Sequence, residues 1–178
     1  MISIRDAEPL DIAFMPAIET AADSLLTSID GAPLPVSLPA GASRTELARS
    51  LKLLVAGRPC VGFARLEELD GGAHLEQLAV LPHRAGQGIG RALVEAAKDW
   101  ARLQGYTSMT LTTFANVLFN APFYASCGFG QVTDLSPALL EVRLHEEAIG
   151  LDLIGQRVVM RAALSPSASA RRHQAGIT

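Results

Sequence analysis

Leu78-Ala79-Val80-Leu81-Pro82-His83-Arg84-Ala85-Gly86-Gln87-Gly88-Ile89-Gly90-Arg91-Ala92-Leu93 decides how the rest of this chain is read. It runs from an apolar strand through a short basic turn and glycines at alternate positions into an amphipathic helix. Glycine lacks a Cβ, so its backbone can approach a ligand closely and take φ > 0 without penalty. Free N–H groups entering a helix form an anion site, reinforced by the positive end of the helix dipole. The stretch is therefore built to hold a phosphate group beside the end of a strand.

Outward from the loop, Ile89, Ala92, Leu93, Ala96, Ala97, Trp100 and Leu103 recur at helical spacing, and Gly105 is a stop signal. The first turn carries Arg91 and no acid, which opposes the helix dipole unless an anion is bound. The nucleotide folds match poorly. Leu93 stands where a dinucleotide fold needs a third small residue, and Gly90-Arg91-Ala92 is not the Gly-Lys-Ser/Thr of a P-loop.

The flanks alternate strands and helices. Residues 2–5 read as a strand, and Asp11 as the cap of a helix with Met15, Ile18, Ala22 and Leu25 on one stripe and Pro16 in its first turn. Residues 31–41 read as a Pro-rich loop, and Ser43 with Glu46 as the capping box of a short helix. Residues 51–55 and 60–66 read as paired strands, and Asp70-Gly71-Gly72 turns into a strand over 75–80. A strand over 107–113, a helix capped by Asn120 with Pro122 in its first turn, a helix over 137–149 and a strand over 157–164 follow. This order fits a three-layer α/β or α+β sandwich. Residues 1–164 are expected to form one domain and 165–178 a disordered tail.

Composition narrows the function classes. With 178 residues and 49% hydrophobic content the chain is no disordered segment, and a formal charge of −3 gives no reason to expect nucleic acid. No apolar run approaches the ~20 residues that span a membrane, and Met1 to Asp6 lacks the blocks of a signal peptide. Cys60 and Cys127 lack metal-ligand spacing and read as buried small hydrophobes. A cytoplasmic protein without metal, membrane or nucleic-acid partner is expected.

The glycine loop resembles the acetyl-CoA loop of the GNAT superfamily of N-acetyltransferases, Arg/Gln-x-x-Gly-x-Gly/Ala. Gly88 and Gly90 match its small positions, while Ala85 stands at the Arg/Gln position beside Arg84. Asn120-Ala121-Pro122-Phe123-Tyr124-Ala125-Ser126-Cys127-Gly128-Phe129 resembles the family's Phe-Tyr-x-x-x-Gly-Phe segment, although the Asn usual seven residues before the Tyr is Val117 here. The resemblance runs over about residues 2–164. It implies a mixed, mostly antiparallel sheet flanked by helices. Two strands would splay into a slot for the pantetheine arm of acetyl-CoA, one ending at Val80 and the other starting near Thr107. It further implies that Leu78, Ala79, Val80, Arg84, Ala85, Gly86, Gln87, Gly88, Ile89, Gly90, Arg91, Asn120 and Tyr124 hold the co-substrate, with backbone groups of Leu78 and Val80 pairing the pantetheine amides. The implied activity is acetyl transfer to a primary amine of a small molecule or peptide by direct attack. The alternative is a non-catalytic acyl-CoA-binding or regulatory module, kept open by Ala85 and Val117. The resemblance is also compatible with an oligomer, most often a homodimer, which no residue here settles.

Two residues carry the candidate chemistry. Tyr124, with an ordinary pKa of ~10, lies near enough to a thiol at ~8.5 to protonate a departing thiolate; the other reading is a tyrosine that only packs on the cofactor. Glu76 would take the amine proton through a water, sharing by alternation one strand face with His74, Leu78 and Val80. Its other reading is a solvated strand carboxylate. His74, after Gly71-Gly72-Ala73, reads as a surface turn residue, and His83 and Arg84 as charge complements to phosphate. Asn120 reads as a helix cap, a pantetheine contact, or both. Glu67, Glu68 and Asp70 read as a solvated turn or as a hint of a cationic acceptor.

Overall fold

Apolar runs broken by turn residues become the strands of a central sheet, and the segments with helical spacing cover its two faces. A computed structural model of the chain describes residues 2–26, 28–29, 32–33 and 37–165. In chain order these form β1 (Ile4–Asp6), α1 (Pro9–Ile12), α2 (Met15–Asp23), β2 (Ser28–Ile29), β3 (Ala32–Pro33), α3 (Arg44–Arg49), β4 (Lys52–Ala56), β5 (Gly62–Leu69) and β6 (Gly72–Val80). Then come α4 (Ile89–Leu103), β7 (Ser108–Phe114), α5 (Ala121–Ser126), β8 (Gly130–Val132), α6 (Pro137–Ala148), α7 (Leu151–Ile154) and β9 (Arg157–Ala163). The tail expected over 165–178 lies outside the described residues beyond Ser165, as do residues 31 and 34–36 of the expected loop.

Among the described residues the sheet has seven strands in the order β1-β4-β5-β6-β7-β9-β8, and β2 and β3 form a separate pair. Neighbours run antiparallel except β6 and β7, which are parallel and in register only at Ala73↔Met109 and His74↔Thr110. Beyond those pairs they part, as expected for a mixed, mostly antiparallel sheet with a splayed central pair. One apolar cluster lies under α4, where Leu93, Val94, Ala97 and Ala101 meet Leu66, Leu75, Met109 and Leu111. The second lies on the other face, where Met15, Ile18 and Leu47 cover Val55, Phe63 and Ala79. Among the described residues no helix is long and apolar enough to cross a membrane.

One strand breaks its own alternation. Leu66 pairs with Leu75 and Arg65 with Gln77, so Glu76 is an extra residue on β6, a β-bulge. Ala73 and Leu75 belong to the α4-side cluster; past the bulge Leu78 and Val80 pack on that side, while Ala79 turns to the other. Glu76 therefore does not share a face with Leu78 and Val80, contrary to the alternation reading. It stays beside His74, whose Nε2 lies 3.5 Å from its carboxylate.

Three further expectations are corrected. His74 is no surface residue but 1% exposed, with its Nδ1 hydrogen-bonded to Thr110 Oγ1 at 2.9 Å. Asp11 does not cap a long helix. It lies inside α1, accepts the Glu8 N–H at 2.8 Å and binds Arg5 through both oxygens at 2.6 and 2.8 Å. The expected helix splits into α1 and α2, since Pro16 has no N–H to carry the ladder across. Finally, Asn120 occupies the N-cap position of α5 but its side chain makes no capping bond. Ser43 does cap α3, with the full Ser43–Glu46 box in place.

Candidate active site

After β6 the chain makes one tight turn over Pro82–Arg84, in which the Arg84 and Ala85 N–H groups donate to Leu81 O and Pro82 O at 2.8 and 3.0 Å. Gly86 and Gly88 then take φ of 75° and 77°, a left-handed conformation that favours glycine. The first helical bond of α4 runs from Ala92 N–H to Gly88 O at 3.0 Å. Between Ala85 and Ala92, the N–H groups of Gly86, Gln87, Gly88, Ile89, Gly90 and Arg91 find no acceptor among the described residues. They form a row of donors at the positive end of a 15-residue helix. A Cβ on Gly86 or Gly88 would meet nothing within 4 Å, so the space over them is open. At Gly90 a Cβ would come 3.4 Å from the Phe123 ring, a van der Waals contact with α5.

That row opens into a cavity of about 410 Å³ between the end of β6 and α5, so the wall expected from the strand starting near Thr107 is supplied by α5 and the residues before it. Leu78 and Val80 form one wall, the Arg84–Arg91 loop the mouth, and Phe119, Asn120, Phe123 and Tyr124 the opposite wall. Ala22, Asp23, Leu25 and Leu26 at the end of α2 close the remaining side. Most of the residues expected to hold a co-substrate thus meet in one place. Ala79 is an exception, its side chain buried in the cluster on the far face. The Ala85 N–H is already used, and Gln87 Nε2 reaches back to His83 O at 3.5 Å. The α2 wall was missed in the sequence. Leu25 stands on the expected core stripe yet is 43% exposed at the slot, and no local signal marks the difference.

Tyr124 is buried, edge-on to Phe123 and Phe129 at centroid distances of 5.1 and 5.9 Å. Its hydroxyl has no partner among the described residues, and burial pushes its pKa well above the ordinary phenol value. It is therefore neutral throughout the physiological range, with its pKa farther from a thiol's than the ordinary tyrosine value is. Arg84 is exposed, with no side-chain partner among the described residues. Arg91 is engaged: its guanidinium donates to Ser126 O and Ser126 Oγ at 2.9 and 2.8 Å.

Glu76 lies on the opposite face and does not line the cavity. Burial raises its pKa, with Arg65 opposing. Burial also lowers the pKa of His74 to about 4, so the pair is a neutral imidazole beside a carboxyl group. Next to them sits a closed polar cluster. Glu146 accepts from Thr112 Oγ1 at 2.5 Å and from both Arg143 and Arg157, while Arg143 also holds Asp152 at 2.9 and 3.0 Å. The acidic turn proves structural: Glu67 binds Arg65, Glu68 accepts from Tyr106, and Asp70 accepts the Ala138 N–H near the start of α6. Cys60 and Cys127 are buried free thiols. Among the described residues no cluster of His, Cys, Asp and Glu could hold a metal ion.

Known proteins share this architecture. The family model described as the Acetyltransferase (GNAT) family matches residues 35–129. An aminoglycoside N(6')-acetyltransferase type 1 from Klebsiella aerogenes is 34% identical over 101 residues, covering 51% of this chain and 66% of that protein. Among solved structures, an acetyltransferase of the GNAT family from Staphylococcus aureus Mu50 superposes with a TM-score of 0.71 at 14% identity, covering 93% of this chain and 100% of that one. N-acetylglutamate synthase from Neisseria gonorrhoeae, complexed with coenzyme A and N-acetyl-glutamate, superposes with a TM-score of 0.68 at 18% identity. That match covers 93% of this chain but 35% of the synthase, so this chain spans about a third of it.

Proposed function

The chain belongs to the GNAT acetyltransferase family, and on that premise we propose that it transfers the acetyl group of acetyl-CoA to a primary amine of a small molecule or peptide. One observation above others supports this: the unpaired N–H row from Gly86 to Arg91 opens into the cavity that Tyr124 lines. Such a row suits a diphosphate, with Arg84 as countercharge. The parted edge of β6 at Leu78 and Val80 suits the amides of an extended pantetheine arm, which would add to it like a strand. Asn120, with no capping bond, is available to the same arm.

Bound acetyl-CoA supplies an acyl carbon activated by a thiol leaving group. The walls of the slot hold amine and thioester in line, which removes most of the entropic barrier. Glu76, off the cavity on the other face of β6 and made more basic by burial, accepts the amine proton through a water. As the C–N bond forms and the C–S bond breaks, a backbone N–H on the Leu78–Val80 stretch holds the oxyanion and Tyr124 gives its proton to the departing sulfur. We place the work in the cytoplasm, without metal, membrane or nucleic acid, in one unit of residues 1–164 that is free to dimerise. Two buried free cysteines fit a reducing compartment.

The test is thermal shift with acetyl-CoA, CoA, NAD and ATP, then thiol release across an amine panel that includes aminoglycosides, amino acids and peptides. CoA and acetyl-CoA should raise the melting temperature, and at least one amine should release thiol. Stabilisation by NAD or ATP alone would overturn the proposal. Stabilisation by CoA with no thiol release from any amine would favour the non-catalytic acyl-CoA-binding module.

A further inference from the structure

The helix that carries Tyr124 is only 6 residues long, and a helix so short does not hold itself in water. Its C-terminal end is held from outside, by two cations of α4. Arg91 binds Ser126 twice, and Ser126 Oγ donates in turn to Phe123 O at 2.6 Å. Lys98 is 6% exposed, donates to Cys127 O and to Glu95 Oε1 at 3.1 Å, and lies 5.2 Å over the Phe129 ring. Residues 91 and 98 are two helical turns apart on one face of α4. Both reach the carbonyl end of α5, the negative end of its dipole.

Arg91 has a second engagement. Its backbone N–H is the last of the unpaired row, so one residue turns its amide to the anion loop and its guanidinium to the helix that bears Tyr124. We propose that Arg91, supported by Lys98, is a positioning residue that keeps Tyr124 at the cavity and couples occupancy of the loop to the order of α5. Its guanidinium serves the tyrosine helix and not the phosphates. This rests on the reading of Tyr124 as the acid.

The test uses CoA as probe and hydrogen exchange as readout. In the unaltered protein CoA slows exchange at the amides of Tyr124, Cys127, Gly128 and Phe129, each bonded within or just after α5. In Arg91→Ala those amides exchange about tenfold faster and no longer respond to CoA, while the Kd for CoA moves by less than about threefold. Arg91→Lys recovers part of the protection. Unchanged exchange in α5 together with about tenfold weaker CoA binding would make Arg91 a phosphate ligand and overturn the proposal. Kinetics then separate the two layers. Arg91→Ala should lower kcat about tenfold with little change in KM for acetyl-CoA, and should add nothing in a Tyr124→Phe background. Fully additive losses would overturn the route through Tyr124. A Tyr124→Phe enzyme with undiminished turnover would sink the acid role alone, since the exchange readout does not depend on it.

Discussion

The glycine loop and the Glu146 cluster flank the same central strands and treat their polar groups in opposite ways. In the loop, a run of N–H donors faces open space with no acceptor among the described residues. In the cluster, Thr112, Arg143, Glu146, Asp152 and Arg157 bond one another, and Arg157 Nε is the buried atom among them with no partner among the described residues. Exposure explains the contrast. At an open helix start water serves the donors until an anion replaces it, so leaving them unpaired costs little. Under α6 the Glu146 carboxylate is nearly cut off from solvent, and a buried charge must be matched or the fold suffers. Closed polarity marks what holds the sheet together; open polarity marks where a ligand goes.

The strongest way to break this contrast is Glu146→Ala. It strands two guanidinium groups around a carboxylate whose own side chain is 9% exposed. Urea unfolding should show a loss of about 3–5 kcal/mol, with CoA affinity unchanged. A loss below about 1 kcal/mol would mean the cluster is solvated like the loop.

His74 offers the next largest effect. Its pKa falls from 6.5 to about 4 through burial, so between those values the unfolded chain binds more protons than the folded one. Its contribution is therefore complete above about pH 6.5 and is lost as pH falls toward 4, up to about 3 kcal/mol. Stability measured against pH should show this slope, and His74→Asn should remove it. A slope that survives the substitution would assign the effect elsewhere.

Smaller changes probe the open side. Gly88→Ala forces a side chain into φ of 77° with no steric clash, at a cost of about 1–2 kcal/mol. Calorimetry should find CoA binding weakened about tenfold; unchanged affinity would remove these amides from the site. Smallest is a pair of caps. Ser43→Ala loses a made bond and should cost about 1 kcal/mol without touching CoA binding. Asn120→Ala loses no capping bond and should stay within about 0.5 kcal/mol in stability while weakening CoA binding. The reverse pattern would turn Asn120 back into a structural cap.

What could be read in the sequence was local. α4 announces itself by a repeating apolar stripe and a terminal glycine, and the Ser43–Glu46 box by residues three apart. The loop and the Phe123-Tyr124 segment were legible because their chemistry is contiguous. Long-range pairings were not. His74 is buried by Thr110, 36 residues away, and Arg91 is committed to Ser126, 35 residues away, with no local trace of either. β8 and α7 are too short to show a period. The Asp23–Leu26 wall depends on where the end of α2 lands on the slot.

The bulge at Glu76 carries a consequence for insertions and deletions. Because β6 holds one residue more than its partner strand there, deleting that one residue would restore plain alternation from Leu75 through Gln77 to Leu78 and leave the pairing with β5 unchanged. Leu78, Ala79 and Val80 would keep their present faces, and both apolar clusters would keep them too. A deletion at Ala79 has no spare residue to absorb it and would turn Val80 to the wrong side. The strand thus tolerates a shorter chain at one position and not three residues further on.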